Sequence, residues 1–247
     1  MCVIIYTPDK TNRPSKEVLK KCEEQNPHGI GIAFEAADKE MIRVSKAIHM
    51  REVNQLMQEV EGGMTIHFRY ATAGGETPEL CHPFPTTSTA QLWLDFHAEQ
   101  VLFTNGTWLN WEQSYKVIRN LQGLKKLKGD LSDTRAMAQI VGATGKANWL
   151  KDITDKHHAH KRVRSIVQRY GKKPRFFGKW YDRKGIKFSN VRHEEKPVSV
   201  SRFLPRYYHS TETQCDPSGL PNKVIGQATE QDILGFPLWE DEDQSKI

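Results

Sequence analysis

Met64-Thr65-Ile66-His67-Phe68-Arg69-Tyr70 alternates without a break. Met64, Ile66, Phe68 and Tyr70 fall on one side of a strand, and Thr65, His67 and Arg69 on the other. Upstream, His28 to Phe34 reads as a second strand, with Ile30, Ile32 and Phe34 on one face and Gly29, Gly31 and Ala33 on the other. A face that bare admits close approach of another backbone or a ligand. Cys2-Val3-Ile4-Ile5-Tyr6, ended by Pro8, is a buried strand at the start of the chain, and Met41–Ala47 is a further one. Downstream, Gln91–Phe96 and Val101–Asn105 read as a strand pair. Helices are expected from a Ser15 cap to about Gln25, at Arg51–Val60, at Trp111–Leu124, and at Asp133–Val141 behind a Ser132 cap. Val163, Ile166, Val167 and Tyr170 keep i, i+3, i+4, i+7 spacing and predict an amphipathic helix. Phe176–Tyr181 and Ile186–Asn190 predict a closing hairpin around Asp182–Gly185. Strands interleave with helices, yet most strand connections are too short for βαβ crossovers, so the fold class is α+β.

The 247 residues suffice for one large domain or a domain with an appendage. Charge divides them. Residues 1–150 carry 17 basic and 17 acidic side chains, residues 151–206 carry 17 against 5, and residues 207–247 carry 2 against 8. That pattern predicts a neutral folded body, a basic segment and an acidic tail. The tail lacks periodicity, so residues 194–247 are expected to be mostly irregular. No apolar run reaches the ~18 residues of a membrane span and no secretory leader opens the chain, so the expectation is a soluble cytoplasmic protein without membrane contact. Cys2, Cys22, Cys81 and Cys215 lie far apart, against a zinc ribbon or a disulfide framework. Gly29-Ile30-Gly31-Ile32-Ala33-Phe34 lacks the third glycine of a dinucleotide fingerprint, and Gly142–Ala147 is too short for a P-loop. His157-His158-Ala159-His160 reads as part of a solvated basic stretch before it reads as a metal site. No metal and no cofactor are expected.

Chemistry concentrates on residue 2. A small second residue permits removal of the initiator methionine, which would leave a thiol and a free α-amine on Cys2. An α-amine with a pKa of about 7.7–8.0 is a workable base near neutral pH, and an N-terminal Thr, Ser or Cys using its own amine is a recognised nucleophile arrangement. Alone, Cys2 reads as a buried strand cysteine, Arg69 as a salt-bridge partner, Asp133 as a helix-dipole residue and Asn105-Gly106 as a plain turn. They occur in company. In order come Asn26-Pro27-His28-Gly29-Ile30-Gly31, His67-Phe68-Arg69-Tyr70-Ala71-Thr72-Ala73-Gly74, Cys81-His82-Pro83-Phe84, Thr104-Asn105-Gly106-Thr107-Trp108 and Ser132-Asp133-Thr134.

This set resembles the class II glutamine amidotransferases, N-terminal-nucleophile glutaminases. The likeness is carried by residues 2–142 and extends to about 193 through the closing hairpin. It implies a four-layer αββα sandwich of two stacked antiparallel sheets, a glutaminase-type domain over residues 1–193, and glutamine as substrate. Under it Cys2 is the nucleophile. Asn105 (side-chain NH2) and Gly106 (backbone N–H) form the oxyanion hole, Arg69 clamps the substrate α-carboxylate, and Asp133 accepts its α-ammonium. Thr72 supports the glutamine site, while His67, Tyr70 and His82 line or support the pocket, neither histidine serving as a base. The sequence departs from the family pattern at Thr104, Tyr70 and His28, where histidine, tryptophan and aspartate are usual, and at Ala73, where histidine is common.

Three uses follow from the resemblance. In the first the glutaminase hands ammonia to an acceptor synthase in trans, since 247 residues leave no room for a second catalytic domain; in the second it cleaves another γ-glutamyl amide. Alternatively the scaffold is a binding protein, contacting nucleic acid through residues 151–206, where Lys and Arg interleave with Tyr170, Phe176, Phe177, Trp180 and Tyr181. The acidic tail, with Phe236-Pro237-Leu238-Trp239, is suited to folding back on that basic segment or docking a partner.

Overall fold

The computed structural model describes residues 2–72, 75–156 and 163–194. The expectations for the His157–His160 run, Cys215 and the acidic tail lie outside the described residues, as do Met1, Ala73 and Gly74. Eleven strands and four α-helices follow in the order β1 (Val3–Thr7), α1 (Lys16–Gln25), β2 (Ile30–Ala36), β3 (Met41–Ile48), α2 (Met50–Glu59), β4 (Met64–Phe68), β5 (Phe84–Pro85), β6 (Asp95–Ala98), β7 (Gln100–Asn105), α3 (Trp111–Leu121), α4 (Asp133–Thr144), β8 (Arg164–Arg169), β9 (Arg175–Phe177), β10 (Tyr181–Arg183) and β11 (Ile186–Phe188). The fold is α+β with two antiparallel sheets, ordered β10-β11-β1-β4-β2-β3-β6 and β5-β7-β8-β9.

Alternation along the strands sorts the core. Val3 and Ile5 of β1, with Ile30, Ile32, Ile66 and Phe68, pack on Leu19 and Cys22 of α1 and Val53 of α2. Ile4, between them in sequence, points the opposite way and joins Ala33 and Val44 in a cluster with Val101, Phe103 and Ile166 of the second sheet. Leu102 and Val167, one residue out of phase with those, pack with Tyr115 of α3 and with Met137 and Ile140 of α4. Central strands are therefore apolar on both faces, as burial on both sides requires.

Helix starts follow local chemistry. The Ser15 hydroxyl accepts the Val18 N–H at 3.3 Å, and the Ser132 hydroxyl accepts the Arg135 N–H at 3.2 Å, so α1 and α4 begin where a capping side chain satisfies an otherwise orphaned amide. The bare face of β2 is covered by backbone. A Cβ on Gly31 would lie 1.7 Å from the carbonyl oxygen of His82, and one on Gly29 2.5 Å from the Cys81 sulfur.

Three expectations are corrected. Residues 164–169 are strand β8 rather than an amphipathic helix: Ile166 faces Phe103 while Val167 faces the α3–α4 cluster, so two buried faces produced the helical spacing. Residues 95–98 and 100–105 do not pair with each other. β6 pairs with β3 and β7 with β5 and β8, the chain changing sheets at Glu99. The closing hairpin is shorter than expected, Tyr181–Arg183 with Ile186–Phe188. Phe176 and Phe177 belong to β9 and pair with β8. Gly178, at φ +78° with room for no Cβ against the Val163 carbonyl, turns the chain after β9 toward β10.

Candidate active site

Cys2 precedes β1, whose neighbour β4 ends at Phe68, so the segment leaving β4 runs directly past the thiol. The Cys2 Sγ accepts the Tyr70 N–H at 3.2 Å and donates to the Tyr70 carbonyl at 3.3 Å. Burial pushes its pKa up, and the Tyr70 amide opposes that shift. The Cys2 carbonyl is held by the Asn190 side-chain amide at 2.7 Å, and Ile4, two residues on, is pinned by its N–H donating to Ser189 Oγ at 2.8 Å. The nucleophile candidate is thus held from two places in the chain, the segment after β4 and the Ser189-Asn190 pair.

An open cleft of about 340 Å³ lies over this thiol, lined by Cys2, Arg69, Tyr70, Thr72, His82, Gly106 and Asp133, with Ser132 and Thr134 at the end of α4. Arg69 is only 3% exposed. Its Nη1 donates to the Thr77 carbonyl at 3.1 Å and its Nη2 to the Gly75 carbonyl. Guanidinium carries five donors, so these contacts orient the fork and leave others for an anion. The Asp133 Oδ2 accepts the Trp108 N–H at 2.9 Å and its Oδ1 the Thr134 N–H at 2.8 Å. Burial raises its pKa and those amides oppose the rise; the N-terminal end of α4 favours its charged form as well. Arg69 and Asp133 therefore bring a guanidinium and an amide-held carboxyl group to one cleft.

Gly106, at φ +103°, turns the chain sharply after β7 and brings its backbone to the cleft. Thr72 Oγ1 lies 3.4 Å from Thr107 Oγ1, linking the two loops. Tyr70, 42% exposed, stacks on His28 at 5.1 Å between ring centroids. His28 Nδ1 accepts the Ala71 N–H at 2.9 Å, so the residue standing where aspartate is usual in the resembled family braces the 70–72 segment.

Two of the expected residues do not line the cleft. Asn105 is fully buried beside Gly106, its Nδ2 donating to Ser189 Oγ at 2.8 Å and its Oδ1 without a partner. His67 lies behind His82, the rings stacked at 4.2 Å. Burial and the nearby Arg69 push the His67 pKa down to about 3, and burial with His67 pushes His82 well below its ordinary value. Both rings are neutral near pH 7 and neither is poised as a base. Cys22 and Cys81 are fully buried, the former with its pKa pushed up to about 12.

Sequence reading did not find Ser189, Asn190, Ser132, Thr134 or Thr107 as site components. Ser189 and Asn190 act through contacts across nearly the whole chain, which no local pattern signals. Ser132 and Thr134 stood in the quoted Ser-Asp-Thr run and drew notice only as its cap and flank. In the basic segment, cations and rings pair with one another: Lys187 over Phe176 at 5.7 Å, Lys179 over Tyr181 at 5.8 Å and Arg175 over Phe177 at 5.3 Å. No group of three or more metal-ligating side chains occurs among the described residues, and no helix among them is long and apolar enough to cross a membrane. Compared with known proteins, the chain matches no protein-family model and no curated protein.

Proposed function

We propose that this chain is an amidohydrolase of the N-terminal-nucleophile type, with the α-amine of Cys2 as its base once Met1 is removed. Within that class we read it as a class II glutamine amidotransferase that hydrolyses the glutamine side-chain amide. The observation that carries the reading is the single cleft in which Cys2, Arg69, Thr72, Gly106 and Asp133, drawn from four separate segments, meet. The three apolar clusters support the finer architecture: α1 and α2 on the first sheet, the two sheets on each other, and α3 and α4 on the second, in a four-layer αββα order.

The chemistry follows from the residues. Arg69 and Asp133 take the two charges of a free amino acid, so its side-chain amide reaches toward Cys2. The α-amine takes the thiol proton, and the sulfur adds to the amide carbon. Charge then builds on the amide oxygen, where the Gly106 N–H is the candidate donor, one such donor being worth roughly 2.7–4 kcal/mol; Asn105, buried with its amide on Ser189, positions that turn rather than reaching the cleft. The protonated amine gives its proton to the departing nitrogen, releasing ammonia and leaving a thioester. Water then adds to the thioester, its proton passing to the amine, and glutamate leaves with the thiol restored. The ammonia goes to an acceptor enzyme acting in trans.

The test is chemical. Mass spectrometry of active protein should find Met1 absent, and an electrophilic glutamine analogue should label Cys2 while sparing Cys22 and Cys81. Cys2→Ala should abolish glutamate release with an unchanged circular dichroism spectrum. Glutaminase activity in a preparation that retains Met1, or in Cys2→Ala, would refute the mechanism.

A further inference from the structure

A second cleft, of about 730 Å³, opens among Tyr6, Glu35, Gly63, Gln168 and the Gly171–Pro174 loop. It sits at the other end of the strands that carry the Cys2 site. Tyr6 is four residues along β1 from Cys2, about 13 Å at strand rise. Gln168 pairs with Val101, at the opposite end of β7 from Asn105. Fully buried Ile4, Phe103 and Ile166 fill the space between. A ligand here does not reach the thiol.

The cleft is built from polar groups that the fold itself does not use up. Gln168 is 3% exposed, on a strand whose neighbouring residues Ile166 and Val167 are core. Its Oε1 accepts the Thr65 hydroxyl at 2.9 Å, joining the two sheets. Its amide nitrogen has no hydrogen-bond partner among the described residues, and Gln168 lines the cleft. A buried carboxamide costs stability unless its groups are bonded, so a strand position that suits valine holds an unspent donor. The Tyr6 ring packs edge-on against Phe176. Its hydroxyl lies where a Cβ on Gly63 would approach to 3.1 Å, and it has no hydrogen-bond partner among the described residues. Burial, then the charges of Glu35 and Asp9, raise its pKa, so the phenol stays a donor.

Glu35 accepts the Gly171 N–H at 3.1 Å through one oxygen, which leaves the other as an acceptor. Lys172 and Lys173 are exposed on the rim and have no ion pair among the described residues, whereas the nearby Arg169 is paired with Glu99. Two cations at the mouth, two neutral donors inside and one carboxylate make a set that matches an anionic group attached to a hydroxyl-bearing body. Lysines suit phosphate as point charges, and the carboxylate and amide suit hydroxyls.

We infer that this cleft binds a small hydroxylated phosphate monoester. The inference does not depend on the reaction at Cys2. Calorimetric titration of the full chain with ribose 5-phosphate, glycerol 3-phosphate, AMP and inorganic phosphate tests it. At least one monoester should bind at one site per chain and at least tenfold more tightly than inorganic phosphate. Lys172→Ala/Lys173→Ala, on an exposed loop, should weaken that binding at least tenfold, and Gln168→Glu should do the same while keeping the Thr65 contact. Cys2→Ala should leave it unchanged. Absence of binding by all three monoesters, or binding that survives loss of both lysines, would overturn the inference. So would binding lost in Cys2→Ala, which would put the ligand in the first cleft.

Discussion

Acid should unfold this protein earlier than its carboxylates alone dictate, because of His67. Its imidazole is wholly buried, both ring nitrogens lack partners, and burial followed by Arg69 holds its pKa at about 3. In the unfolded chain the same ring titrates near 6.5. Between those values the unfolded state binds the extra proton, so stability is full above about pH 6.5 and declines as pH falls toward 3. Integrating the linkage for His67 alone gives a loss of about 2 kcal/mol at pH 5, and His82, shifted in the same direction, adds to it. The perturbation is His67→Leu, which removes the titrating group and the unpartnered nitrogens together. Near pH 7.5 the variant should be as stable as the parent or more so, since taking away a buried unsatisfied group removes a penalty. At pH 5 it should have lost about 2 kcal/mol less. With a urea m-value of about 1–3 kcal/mol/M, the parent's midpoint should fall by roughly 1 M more between pH 7.5 and 5. Removing His67 also lifts its charge repulsion from His82, which deepens the difference rather than masking it. Urea unfolding followed by tryptophan fluorescence at several pH values decides the matter. Parallel pH profiles for the two proteins would refute the reasoning.

Gly31→Ala should destabilise by about 3 kcal/mol or more, because its methyl would sit 1.7 Å from the His82 carbonyl oxygen. Gly62→Ala, with nothing within 4 Å, serves as the matched neutral control in thermal unfolding. Equal melting temperatures for the two would show that the 81–83 segment yields freely. Arg69→Lys should raise KM for glutamine about tenfold or more with a smaller change in kcat, since lysine cannot make the two-pronged carboxylate bond; an unchanged KM in a steady-state glutaminase assay would remove Arg69 from substrate binding. Asp133→Asn should weaken turnover of free glutamine far more than that of a γ-glutamyl amide blocked at its α-amine. Equal losses, measured as kcat/KM ratios, would favour the blocked amide as the natural kind of substrate.

How far the sequence disclosed this arrangement depended on whether a residue's role was local. The β4 alternation was readable because its strand is bounded by loops, and the Ser15 and Ser132 caps because a cap is a contact over three residues. The bare face of β2 announced a close approach, and the His82–Pro83 backbone occupies it. Residues 164–169 misled because a strand buried on both faces has no polar side to mark its period, so Val163, Ile166, Val167 and Tyr170 fell by chance on helical spacing. The strand pair at 95–105 misled for another reason. Two short apolar runs four residues apart, at 91–96 and 101–105, suggest a hairpin, whereas here Glu99 carries the chain from one sheet to the other. Of the site residues, those inside contiguous motifs were legible. Ser189 and Asn190 were not, since their partners lie at the opposite end of the chain.

Those two late residues bear on how the nucleophile is held. Cys2 precedes β1, whose sheet neighbours among the described residues are β4 and β11. β4 supplies the Tyr70 segment that grips the sulfur, and β11 delivers Ser189 and Asn190 to Ile4 N–H and the Cys2 carbonyl. Ser189 Oγ also receives the Asn105 amide from β7, in the second sheet. A single hydroxyl therefore ties the strand after the nucleophile to the strand that ends at Asn105, next to Gly106. The distance between thiol and candidate oxyanion donor is then set by a contact between sheets, not by either strand alone. Residues 186–190 thus contact both the strand that follows Cys2 and the residue before Gly106, so the basic segment that looked separable by charge is a structural part of the candidate active site.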